Sequence, residues 1–94
     1  MNSKWLVERA TEFEVWTDPR NRLDTICVRK CTGHRLPMPV MWKVTLRGWF
    51  TLDHDGNWEA EPIPSSRDED YYRRCRFETL EEAWEAAEIA ARAL

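Results

Sequence analysis

From Val40 to Glu61 the sequence reads VMWKVTLRGWFTLDHDGNWEAE, the longest clean two-residue alternation in the chain. Val40, Trp42, Val44, Leu46, Phe50 and Leu52 fall in one register, with Gly48 among them. Lys43, Thr45, Arg47, Trp49 and Thr51 fall in the other. A strand with one buried and one wet face has this period. The alternation therefore predicts an extended segment to Leu52, a turn, and a return strand from Asn57. A three-residue loop over His54-Asp55-Gly56 sets Leu52 against Trp58 and Phe50 against Ala60. A two-residue loop would set Trp58 against Asp53 instead, so the first register is expected, closed by Gly56 in the left-handed region.

Ninety-four residues suffice for one small domain. No apolar run approaches the length of a membrane span. The first residues, MNSKWLVERATE, lack the apolar core of a signal peptide, so a cytoplasmic location is expected. Three cysteines, Cys27, Cys31 and Cys75, are too few and too uneven for a disulfide framework. The charge is unevenly spread. Between Pro19 and Leu52 seven basic residues face Asp24 alone; from Asp53 onward five Arg face twelve carboxylates. The middle is basic and the C-terminal part acidic.

Lys4–Arg9 and Glu12–Thr17 read as strands joined at Ala10-Thr11, with a short helix capped by Ser3 as the competitor for the first. Phe13 and Val15 share a face that Trp16 leaves. Asp18-Pro19-Arg20-Asn21 is turn chemistry. Leu23–Lys30 reads as a strand, and Cys31–Pro39, with one Gly and two Pro, as a surface loop. Pro62 and Pro64 end the sheet. Ser66 and Glu69 have capping-box spacing for a helix over residues 67–74, as do Thr79 and Glu82 for a second. From Leu80, apolar residues fall at Ala83, Trp84, Ala87, Ala91 and Leu94 in one helical stripe. The expected fold is one α+β domain over residues 1–94. An antiparallel sheet of four or five strands carries both helices on one face, around Trp42, Val44, Leu46, Phe50, Trp58 and Trp84. The other face is expected to stand open, bearing Lys43, Arg47, Trp49 and Thr51.

Candidate chemistry is sparse. Cys27, Cys31 and His34, with Cys75 or His54, are residue types that zinc accepts. Four residues apart in one strand, the two cysteines would be roughly 13 Å apart, so half-buried thiols are the simpler reading. Asp53, His54 and Asp55 are explained by turn chemistry, and Ser65 and Ser66 by capping. No glycine-rich phosphate loop and no nucleophile elbow is present. The expectation is a protein without catalysis, metal or cofactor. Trp49 beside Arg47 on the wet face has the composition of an interface anchor. Together with Lys43, Arg29 and Arg35 it forms the expected partner-binding set. The partner is expected to be a protein or a second copy of the chain. Single-stranded nucleic acid is the alternative, since an aromatic ring and cations also suit stacked bases and phosphates.

Residues 57–87 add a resemblance. The Trp58-Glu59 strand, Pro62-Ile63-Pro64-Ser65-Ser66-Arg67 and Arg76-Phe77-Glu78-Thr79-Leu80-Glu81-Glu82-Ala83 resemble the C-terminal half of small accessory proteins encoded by actinobacterial phages. The likeness covers about a third of the chain. It implies a small accessory protein that binds a component of a bacterial host, and it carries no site residues.

Overall fold

The computed structural model describes residues 12–33 and 36–94. Five strands form one antiparallel sheet in the order β1-β2-β3-β4-β5. They are β1 (Glu12–Asp18), β2 (Asn21–Thr32), β3 (Val40–Leu46), β4 (Phe50–Leu52) and β5 (Trp58–Ala60). A 3-10 turn at Pro64–Ser66 leads to α1 (Glu69–Cys75), and α2 (Leu80–Arg92) closes the chain. This is the expected α+β class. The expected strand Lys4–Arg9 and its turn at Ala10-Thr11 lie outside the described residues, as do His34 and Arg35.

The β4–β5 hairpin has the expected register: Phe50 faces Ala60 and Leu52 faces Trp58. Gly56 sits at φ 87°, where a Cβ is disfavoured. Asp53 organises the tip. Its carboxylate accepts from the amides of Asp55 and Asn57, both at 2.9 Å. Burial pushes that carboxyl up, but the amide hydrogen bonds outweigh it and hold it below the ordinary aspartate value.

The run from Val40 to Leu52 is not one strand. It reverses at Arg47-Gly48-Trp49, because Arg47 (φ 58°) and Gly48 (φ 81°) both adopt positive φ. Two such residues in succession suit the twist of a tight hairpin. Alternation survives the turn because Leu46 pairs with Phe50, so both stay on one face.

On that face α2 seals the hydrophobic core. Ile26, Val28, Val44 and Leu52 from the sheet meet Phe77, Ala83, Ala87 and Ala90. The small alanines let the helix lie close to the strands. Trp42, Leu46 and Trp58 pack around this centre as expected, half-buried. Trp84 meets the ring of Phe13 edge-on at 5.7 Å. The mixed pattern of β1 is resolved by a bulge between Glu14 and Trp16, which lets both Val15 and Trp16 pack on the core.

The face expected to stand open is covered. The Tyr71 hydroxyl lies 3.2 Å from the Thr51 hydroxyl, Cys75 reaches Glu59, and Arg76 reaches Glu61, so α1 lies on the side opposite α2. The physical reason is the brevity of β4. It pairs only with the Thr45–Leu46 end of β3, leaving the edge near Trp42 free. The chain after α1 crosses there. The Trp42 amide donates to the Phe77 carbonyl at 2.8 Å, and the Phe77 amide to the Trp42 carbonyl at 2.7 Å. His54 clamps the crossing: its amide donates to the Arg74 carbonyl at 3.0 Å, its Nε2 pairs with the Arg76 carbonyl at 2.6 Å, and its ring stacks on Phe77.

The first helix starts later than its capping-box spacing predicts. Asp68, not Ser66, is the N-cap, its carboxylate accepting from the Tyr71 amide at 2.8 Å. Ser66 is held in the 3-10 turn, its amide donating to the Ile63 carbonyl. Thr79 caps α2 as expected, accepting from the Glu82 amide at 3.1 Å. Asp68→Ala should therefore cost about 1 kcal/mol in urea unfolding. Ser66→Ala should stay within about 0.5 kcal/mol of the parent. Equal losses from the two would contradict this assignment of the cap.

Candidate functional site

The partner-binding residues expected from sequence divide between two places. Arg47 and Trp49 stand at the β3–β4 tip. Arg29 and Lys43 are direct cross-strand partners in β2 and β3, on the face covered by α1.

At the tip, Trp49 is 68% exposed. Its backbone is fixed, since its carbonyl accepts from the Glu61 amide at 2.9 Å. The preceding Arg47 donates its own amide to the Thr25 carbonyl at 3.3 Å and pairs its guanidinium with Asp24. The indole thus projects from a turn that is tied to strands on both sides. Ile63, two residues beyond Glu61, is also largely exposed.

Under α1 lies a polar layer. Its centre is Glu61, whose side chain is 10% exposed. Three cations converge on one of its oxygens: Arg76 at 2.7 Å, Lys43 at 3.2 Å and Arg67 at 3.7 Å. Lys43 also reaches the second oxygen at 3.2 Å. Burial pushes the Glu61 carboxyl up, but the charges and hydrogen bonds of Lys43 and Arg76 outweigh it and hold it below the ordinary glutamate value. Lys43 is thus not the free surface cation that its alternation implied.

Arg76 is the most deeply placed of the three, 2% exposed. It donates to Glu61 and to the Cys75 carbonyl, and its guanidinium carbon lies 5.3 Å from the Tyr71 ring centroid and 5.6 Å from that of Tyr72. Its Nε finds no acceptor among the described residues. Arg76, Arg67 and Glu61 are absent from the partner-binding set expected from sequence. The available signal was the two-residue step from Glu59 to Glu61, which places both carboxylates on the face of Lys43.

A groove of about 570 Å³ opens onto this layer. Arg29, Lys30, Lys43, Arg67 and Arg76 line it, against Glu12 as the one acidic lining residue among those described. Glu12 pairs with Arg29 at 3.2 Å on the exposed rim. Cys31 also lines the groove. Cys27 shares β2 with it; Cys75 is buried on α1. Among the described residues no group of three His, Cys, Asp or Glu is placed to hold a metal ion.

Two outcomes follow from this geometry. Burial, then the neighbouring Glu59 charge, pushes the Cys75 thiol up to about 12. Iodoacetamide at mildly alkaline pH should leave Cys75 unmodified in the native protein and alkylate it after denaturation, as peptide mass spectrometry would show; rapid native labelling would contradict the packing. For Glu61 the folded value lies below the unfolded one, so its contribution is present above about pH 4.5 and lost as pH falls through the folded value. Glu61→Gln should cost about 2–4 kcal/mol near neutral pH, because it strands buried cations. It should also flatten the acid limb of a stability–pH curve, and an acid limb as steep as the parent's would count against the cluster. Comparison with protein-family models, curated proteins and solved structures found no match.

Proposed function

We propose that this protein is a non-catalytic binding module that engages a protein partner, or a second copy of itself, through the β3–β4 tip. The observation that carries the reading is Trp49: a large aromatic ring, 68% exposed, on a turn that hydrogen bonds hold in place. A preorganised indole binds with little loss of freedom, which is why tryptophan dominates interface hot spots. Arg47, fixed by Asp24, supplies a polar neighbour, and Ile63 further apolar surface. The resemblance of residues 57–87 to phage accessory proteins supports a partner from a bacterial host.

Single-stranded nucleic acid is the second reading. A stacking ring at Trp49 and the cations of the groove favour it. Asp24 beside Arg47 and the carboxylates along α2 weigh against it, since they repel phosphate.

Trp49→Ala should leave the circular dichroism spectrum and thermal midpoint unchanged. Sedimentation velocity, and affinity purification of the tagged protein from its host, should show a self-association or a partner that weakens about 30-fold in the variant. Identical behaviour of parent and variant in both would overturn the proposal. A retarded band with single-stranded DNA at about 50 mM salt, lost steeply as salt rises, would move the reading to nucleic acid.

A further inference from the structure

We infer that the groove beneath α1 is a binding site for a small organic phosphate, seated on Lys43, Arg67 and Arg76. Three cations share one carboxylate there, all within 3.7 Å of the same Glu61 oxygen. Among the described residues the cluster carries two positive charges more than Glu61 neutralises, in a place where Arg76 is 2% exposed and the Lys43 side chain 17%. Buried charge of this kind calls for a counter-charge. A phosphate monoester near neutral pH carries about −1.5 to −2, which matches the excess.

The donors needed are also on hand. Arg76 gives Glu61 one hydrogen bond, through Nη2. The Nε–H on the same edge of the planar fork is buried and has no acceptor among the described residues. An oxyanion that displaces Glu61 from this edge would take both positions. Lys43 has three N–H donors, and its Nζ lies 3.2 Å from both Glu61 oxygens. Arg67 is anchored by its Nε–H to the Pro62 carbonyl at 2.8 Å, which leaves its terminal nitrogens to face the cluster.

Size distinguishes a phosphate ester from the bare ion. At about 570 Å³ the groove falls in the range of small-molecule sites. The ring of Tyr72 and the side chain of Leu36 give it an apolar wall for an organic group, and Arg29 and Lys30 a cationic rim. A carboxylate ligand would supply half the charge and fewer acceptor oxygens.

Titration of the full-length protein with inorganic phosphate and with phenyl phosphate, at constant ionic strength and followed by amide NMR shifts, tests the site. Both should give saturable shifts at Lys43, Arg67 and Arg76, with millimolar dissociation constants for inorganic phosphate and tighter binding of phenyl phosphate. Acetate should give none. Lys43→Gln should weaken binding about tenfold. Arg67→Gln, at a partly exposed residue that the fold tolerates more readily, should do the same. Glu61→Gln, which removes the competing carboxylate, should tighten it. Linear, non-saturating shifts with both phosphates would overturn the proposal, as would acetate binding equally well or unchanged affinity in Arg67→Gln.

Discussion

The architecture depends on one crossing. Arg76 and Phe77 are consecutive residues in extended backbone, and extended backbone sends successive side chains to opposite sides. The reciprocal hydrogen bonds between Phe77 and Trp42 fix that segment against the free edge of β3. Arg76 is thereby driven into the polar layer and Phe77 into the hydrophobic core, each at least nine-tenths buried. A chain that did not cross here would leave α1 and α2 on the same face, and Lys43, Thr51 and Glu61 in water.

The crossing divides the molecule into two unlike halves. The α2 side is held by close packing of alanines on Ile26, Val28, Val44 and Leu52, where the driving force is removal of apolar surface from water. The α1 side is held by groups that must be paired to be buried at all. Tyr71 meets Thr51, Cys75 meets Glu59, and Glu61 gathers Arg76, Lys43 and Arg67. Low dielectric strengthens these contacts and penalises any member left unmatched. Among the described residues, the three cations outnumber the one carboxylate on which they converge, and the groove that reaches them follows from where Glu61, Lys43, Arg67 and Arg76 are placed. The exposed tip at Trp49 belongs to neither half; it is the free end of the β3–β4 hairpin.

Much of this was legible in the residues. The alternation of faces through Val40–Leu52, the register set by His54-Asp55-Gly56 and the stripe positions Ala83 and Ala87 are local signals that agree with the final fold. Leu94, by contrast, stands exposed beyond the helix, and Ala90, off the expected stripe, is buried. The reversal at Arg47-Gly48 was hidden because a three-residue turn preserves parity. Gly48 inside a strand pattern was its only mark. Which face α1 would take was not local at all. It depends on the length of β4 and on one bridge between residues 35 positions apart, Trp42 and Phe77. The candidate set divided for the same reason. Arg47 and Trp49 stayed exposed at a turn, whereas Lys43 met a carboxylate, Glu61, that alternation alone assigns to a neighbouring strand.

Native-state hydrogen exchange at the Phe77 amide tests the crossing most directly. Protection comparable to that of the amides that pair β2 with β3 is expected, so that Phe77 opens only with global unfolding. Exchange of Phe77 at the rate of an exposed loop amide, while the β2–β3 ladder stays protected, would contradict it.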